Sequence, residues 1–281
     1  MTLDPTLAAR LPSGTPLGEP LPGYAPPPCE VRPAVVAGVP VRRYGPGGHA
    51  PAETLVWVHG GGFSAGDLDM AEADVVAREL VHRAGVAVVT VDYRLAAFPA
   101  GLDDVVAIAS ALPGAVLGGT SAGGNLALAA ALRLRDSGAP PRAGLVLAYP
   151  YLHVENPPAS AALIERMAEL PDAVRFLPPK MLEMAGFYLG ALATEPPHYA
   201  YPGTGHDLAG LPSTLVIGAE YDDLLSSAVD AAARLRAAGV SVREHLEPGV
   251  LHGHLNTPGL PGALRTLETI AEFLRSLPGR A

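Results

Sequence analysis

The chain has 281 residues and a formal charge of −9, with no basic patch to offset it, which argues against nucleic acid or an anionic membrane as the main partner. Its 32 glycines and 30 prolines, together about 22% of the chain, stop just short of the composition that marks low-complexity disorder, and 49% hydrophobic residues suit one large α/β domain or at most two small ones. The single cysteine, Cys29, excludes an intramolecular disulfide and a multi-cysteine metal site.

In chain order, the first fifty residues hold eleven prolines, including Pro26-Pro27-Pro28, and show no sustained period. We read residues 1–50 as a Pro-rich N-terminal arm or partial cap, and residues 51–281 as the main domain. Short β-branched runs between Val31 and Tyr44 are broken by Pro33 and Pro40, which proline restricts to edge strands. Met1 to Leu11 carries Asp4 ahead of its first basic residue and has no apolar stretch behind a positive start, so no secretory signal is visible and a cytoplasmic location is the default expectation.

From Thr54 the punctuation becomes regular. Strand-length apolar runs occur at Leu55–Val58, Val86–Val91, Ala115–Leu117, Leu145–Ala148 and Leu215–Ile217, and Val240–Leu246 alternates before Pro248. Helical patterns fall between them at about Met70–Arg83, Leu102–Leu112, Ala122–Asp136, Leu224–Ala238 and Leu264–Leu274. Strands alternating with helices predict a mostly parallel sheet covered on both faces. The uncharged stretch from Val105 to Leu132 is long enough to span a bilayer, but its internal Pro-Gly and Gly-Gly pairs divide it into helix, turn, strand and helix. Residues 151–211 break the rhythm with eight prolines, two helical patterns (Ala159–Leu170 and Pro179–Leu189) and no clear strand. This reads as a small cap inserted over the carboxyl edge of the sheet, where ligands bind in open α/β folds.

Chemistry concentrates at two glycine-rich loops. Gly119-Thr120-Ser121-Ala122-Gly123 follows the strand Ala115–Leu117 and opens an Ala/Leu-rich helix, the context of a nucleophile elbow. Glycines on both sides give the doubled-back chain room to project the serine hydroxyl. Read blandly, the same residues are a glycine-rich connection. His59-Gly60-Gly61-Gly62-Phe63 follows Leu55–Val58 and suits a loop whose bare backbone N–H groups receive an oxyanion; it continues into neither a P-loop nor a dinucleotide fingerprint. His59 reads as orienting that loop. A Ser, acid, His order then points to Asp222, with Asp223 and Glu220 as competing acids, and to His252, with His254 competing. The His-x-His pair lacks companions for a metal set, so neither a metal nor a cofactor is expected.

These motifs, with Asp92-Tyr93-Arg94-Leu95-Ala96, Phe98-Pro99-Ala100, Ala219-Glu220-Tyr221-Asp222 and His252-Gly253, resemble the hormone-sensitive-lipase-like family of α/β-hydrolase esterases. The likeness runs from about Thr54 to the C-terminus. It implies an α/β-hydrolase fold with a catalytic set of Ser121, Asp222 and His252: the family's acid register selects Asp222, and its histidine precedes glycine, which selects His252. It also implies that Gly61, Gly62 and Ala122 supply the oxyanion hole. The activity implied is serine hydrolysis of short to medium acyl esters through an acyl-enzyme, with a small-molecule ester as partner, no membrane insertion, and a homodimer left open. Two alternatives stand beside it: an acyltransferase or lyase-type biosynthetic enzyme on the same scaffold, and a non-catalytic small-molecule receptor. The chain departs from the family where Thr120 replaces the more frequent aspartate, where His254 replaces a common aromatic, and where the usual Pro-Glu-His stretch after Ala96 is missing. We read Asp92 and Arg94 as a pair bracing the loops.

Overall fold

The computed structural model describes residues 2–13, 18–46, 54–140, 142–190 and 196–278. Eight strands form one sheet in the order β1-β2-β4-β3-β5-β6-β7-β8. The central strands β3 (Thr54–Val58), β4 (Ala87–Val91), β5 (Val116–Thr120) and β6 (Leu145–Ala148) run parallel with β7 (Thr214–Tyr221) and β8 (Val242–Leu251). An antiparallel hairpin of β1 (Glu30–Val36) and β2 (Val39–Gly45) extends the sheet beyond β4.

The parallel strands read as unbroken apolar runs because both of their faces are covered. Along β3, Val56 and Val58 enter one core with α3 (Ala100–Ala111), α4 (Ala122–Asp136) and α7 (Leu225–Ala237). Leu55 and Trp57 enter the other, with α2 (Asp74–Ala84) and α8 (Pro261–Ser276). In α8 the buried Leu267, Ile270, Ala271 and Leu274 form one stripe of the 3.6-residue period, and Pro261 occupies the first turn, where no donor is lost. Between β6 and β7 lie α5 (Ala161–Ala168) and α6 (Pro178–Leu189). The uncharged Val105–Leu132 stretch is divided among α3, β5 and α4. Among the described residues no helix is long and apolar enough to cross a membrane.

Three differences from the sequence reading have physical causes. Within the stretch read as an arm, the runs expected as edge strands form a hairpin of the sheet, but only β1 is an edge strand: β2 is paired on both sides, with Pro40 just ahead of its ladder with β4, which begins at Val41. The turn at Ala37-Gly38 takes positive φ at both positions (49° and 83°), which favours a tight hairpin. The boundary expected at residue 50 lies outside the described residues. Also in that stretch, α1 (Pro5–Ser13) is a helix whose Leu7 is buried in the second core, with the Asp4 carboxylate accepting from Thr6 N–H at 2.8 Å. Finally, β8 continues through Pro248, because as an edge strand it tolerates a missing donor. There the ladder shifts register, and Gly249 N–H donates instead to the Glu220 carboxylate at 2.8 Å.

Candidate active site

Ser121 sits between β5 and α4 with φ 50° and ψ −117°, a conformation sparsely populated by non-glycine residues. The surrounding structure enforces it. Ser121 N–H donates to Ala148 O and its own carbonyl accepts from Tyr151 and Asn125 N–H, at 3.0 to 3.1 Å. A Cβ on Gly119 would stand 2.6 Å from Val58 O, and one on Gly123 would overlap that same oxygen, so the turn presses against the end of β3 with no room for side chains. The two flanking glycines are therefore a packing requirement as well as a conformational one.

Four strand ends converge here. His252, immediately after β8, has Nε2 at 2.9 Å from Ser121 Oγ and Nδ1 at 2.7 Å from Asp222 Oδ2. Asp222, immediately after β7, is fully buried, and its other oxygen accepts Leu224 N–H at 2.8 Å. The imidazole packs against the rings of Phe176 and Tyr149, with centroids 4.4 and 5.0 Å away. In this geometry Nδ1–H donates to Asp222, leaving Nε2 to accept the serine proton.

The competing residues are occupied elsewhere. Asp223 accepts from Arg175 at 2.9 Å and from Phe176 N–H at 2.8 Å. Glu220 is buried against Gly249 N–H and lies 3.4 Å from Arg166. His254 hydrogen-bonds through Nε2 to Thr266 Oγ1 at 2.8 Å, and burial pushes its pKa down to about 3. Among the described residues no group of three or more His, Cys, Asp or Glu side chains is placed to hold a metal ion.

The loop after β3 brings Gly61 and Gly62 to the same edge, and each glycine has its own reason to be bare. A Cβ on Gly60 would lie 2.7 Å from Glu72 Oε2, one on Gly61 would overlap Ala65 O, and one on Gly62 would lie 3.0 Å from Met184 Sδ. Gly61, Gly62 and Phe63 all have positive φ. Among the described residues, the N–H groups of Gly61, Gly62 and Ala122 make no hydrogen bond to a main-chain acceptor in the turns and loops. His59 is buried, its pKa lowered by that burial; its Nδ1 lies 2.7 Å from Gly60 O and its ring stacks on Tyr93 at 4.5 Å.

One sequence reading is corrected. Arg94 pairs with Asp104 at 2.8 Å, whereas Asp92 is exposed at its side chain and donates its backbone N–H to Pro40 O. The loop is braced instead by Tyr93, whose buried hydroxyl reaches the carbonyls of His59 and Gly60 at 3.2 and 3.1 Å. Sequence reasoning also missed Glu72, a buried carboxylate that meets Gly60, Thr120 and Tyr149. The ring of Tyr149 is buried in the core, but its hydroxyl belongs to this network. The segment between β6 and β7 reaches the site through Phe176 beside His252 and through Met184 and Tyr188 of α6. The Tyr188 ring stacks on Phe63 at 3.7 Å.

Comparison with known proteins bears on this arrangement. The family described as the alpha/beta hydrolase fold matches residues 55–256. The esterase LipI of Mycobacterium tuberculosis is 34% identical over 226 residues, covering 75% of this chain and 68% of LipI. A hormone-sensitive lipase from a metagenome library superposes with a TM-score of 0.77 at 28% identity, covering 90% of this chain and 86% of that one. A hyperthermophilic esterase from the archaeon Pyrobaculum calidifontis gives 0.81 at 29% identity, covering 98% and 99%.

Proposed function

We infer a mechanism from one premise: the chain belongs to the hormone-sensitive-lipase-like family of α/β-hydrolase esterases and is a carboxylesterase-type serine hydrolase. Ser121 is the nucleophile. As its hydroxyl attacks the ester carbonyl, His252 Nε2 takes the proton, while Asp222 holds Nδ1–H and stabilises the imidazolium that forms. The observation that carries this reading is the hydrogen-bonded line from Ser121 Oγ through His252 to the buried Asp222, with distances of 2.9 and 2.7 Å.

Charge developing on the carbonyl oxygen falls to the N–H groups of Gly61, Gly62 and Ala122. Losing one such donor typically costs about 3–4 kcal/mol of transition-state stabilisation. Ala122 opens α4, so the helix N-terminus adds positive partial charge at the same point. His252 then returns its proton to the departing alkoxide, leaving Ser121 acylated. A water deprotonated by His252 attacks the acyl-enzyme, releases the acid and restores the serine. Every step uses side chains and backbone donors of this chain.

The substrates proposed are short to medium acyl esters. Two features support this reading: Met184 stands over Gly62, and the buried rings of Phe63, Tyr151, Tyr188 and Tyr201 pack together beside the oxyanion loop, so the space next to the carbonyl is walled by large side chains. Residues 151–211 act as the cap that carries Met184, Phe176 and Tyr188. The test is hydrolysis of p-nitrophenyl acetate, butyrate and longer esters by the parent protein and Ser121→Ala, with fluorophosphonate labelling alongside. Turnover and labelling should both vanish in the variant, and kcat/KM should fall as the acyl chain lengthens. Undiminished turnover in Ser121→Ala refutes the nucleophile assignment. A burst without turnover, relieved by an added alcohol, replaces hydrolysis with acyl transfer.

A further inference from the structure

The mechanism above leaves one buried carboxylate at its centre unused. Glu72 lies between the loop after β3 and α2, and only 2% of its surface is exposed. Three donors converge on it. Gly60 N–H and the Thr120 hydroxyl reach Oε2 at 3.1 and 2.8 Å, and the Tyr149 hydroxyl reaches Oε1 at 2.8 Å. Its main chain is also engaged: Trp57 Nε1–H donates to its carbonyl at 2.7 Å, and its N–H donates to Asn256 Oδ1 at 3.2 Å.

Each partner abuts a different part of the reaction centre. Gly60 precedes the oxyanion donors Gly61 and Gly62, and Thr120 precedes Ser121. Tyr149 packs edge-on against His252, while Asn256 lies in the turn that follows His252. Burial, reinforced by the Glu72 carboxylate, holds the Tyr149 hydroxyl well above its usual pKa, so it remains a donor. Gly60 must be bare for the carboxylate to approach, since a Cβ would meet Oε2 at 2.7 Å.

Resting on the serine-hydrolase reading, we propose that Glu72 is a positioning residue that fixes the oxyanion loop, the nucleophile turn and the histidine relative to one another. A side chain joining three loops can hold a geometry to fractions of an ångström, and misplacement of about 1 Å costs roughly a hundredfold in rate. A carboxylate suits the role because it accepts on both oxygens without offering a competing proton, whereas an amide turns one of its two ends into a donor. In Glu72→Gln, that NH2 faces either Tyr149 O–H or the pair formed by Gly60 N–H and Thr120 O–H.

The experiment measures kcat per active site, with sites titrated by fluorophosphonate, for the parent, Glu72→Gln, Thr120→Val, Tyr149→Phe and the Glu72→Gln/Thr120→Val double variant. Glu72→Gln should lose roughly tenfold to a hundredfold in kcat per titrated site while KM stays within about twofold. Thr120→Val should cost several-fold in the parent background and less in the Glu72→Gln background, because the pair acts as a unit. A purely structural residue would lower the fraction of titratable protein and the Tm and leave kcat per site unchanged; that result overturns the proposal. If Glu72→Gln does not fold, the decision falls to Thr120→Val and Tyr149→Phe, each of which removes one hydrogen bond to Glu72, and parent-like kcat per site in both overturns it. Ser121→Ala keeps the two readings apart: full turnover there refutes the mechanism itself, whereas loss of turnover there with an unimpaired Glu72→Gln refutes only the role of Glu72.

Discussion

Replacing Asp222 by Asn tests the proton relay more sharply than removing the side chain would. The two carboxylate oxygens have fixed duties: Oδ1 accepts Leu224 N–H at 2.8 Å and Oδ2 accepts His252 Nδ1–H at 2.7 Å. An asparagine must keep its oxygen toward Leu224 N–H, since its NH2 there would face another donor. That choice turns the NH2 toward His252 Nδ1, which must then accept, and the imidazole proton moves to Nε2. A protonated Nε2 cannot take the Ser121 proton. In serine proteases, trapping the wrong tautomer in this way lowers kcat by about 10⁴, equivalent to roughly 5 kcal/mol of barrier. With p-nitrophenyl butyrate, Asp222→Asn should therefore fall about four orders of magnitude in kcat with little change in Tm. Asp223→Asn, at a side chain engaged with Arg175 and Phe176 N–H, should change kcat no more than several-fold. An Asp222→Asn enzyme within tenfold of the parent, or an Asp223→Asn enzyme more impaired than it, refutes the assignment of the acid.

Two further outcomes follow from packing and burial. Gly123→Ala places a methyl group against the main-chain oxygens of Val58 and His59, which cannot rotate away; overpacking of this kind costs about 1–3 kcal/mol, so Tm should drop by several degrees and hydrolysis should collapse with it. A Gly123→Ala protein with parent Tm and kcat contradicts the close approach described for the elbow. Burial holds His254 neutral in the folded chain, its pKa lowered to about 3 from an ordinary 6.5. Between those values the unfolded chain binds more protons, so stability should decline as pH falls from about 6.5 toward 3. His206, depressed to about 4 mainly by burial, adds to the same trend. Denaturant titrations across this range should show a shallower pH dependence in His254→Gln, and an unchanged slope rules out the contribution of His254.

The central strands and the helices between them were legible because two-sided burial writes itself into sequence as unbroken apolar runs. α4 matches its expected bounds, Ala122–Asp136, because a glycine turn marks where it starts and a run of Ala and Leu sustains it. The positions of Ser121, Asp222 and His252 at strand ends were visible as chain order. What sequence could not display was convergence. Glu72 lies in a stretch that reads as the start of a helix, where an acidic residue is ordinarily solvated; only the fold brings it under Gly60 and Thr120 from 12 and 48 residues away. Asp104 was missed as the partner of Arg94 for the same reason, the nearer Asp92 being the obvious choice. α1 did leave a local signal, Asp4-Pro5-Thr6, an N-cap residue followed by a first-turn proline, but the surrounding proline density obscured it.

The way residues 151–211 are spliced into the sheet separates two inheritable properties. β6 and β7 are neighbouring parallel strands, with Leu145 opposite Thr214 and Ala148 opposite Ile217, so the segment between them leaves the sheet at the carboxyl end of β6 and crosses back to enter β7 at its amino end. Loop-closure entropy grows only logarithmically with loop length, about 0.6 kcal/mol per doubling. Changes of length between its tethered points add little to that cost, while Tyr151 N–H on Ser121 O and Phe176 beside His252 tie two places in the segment to the reaction centre. In such a scaffold mutation can explore new walls between those two tethered points, while Ser121, Asp222 and His252 stay on strand ends outside the segment.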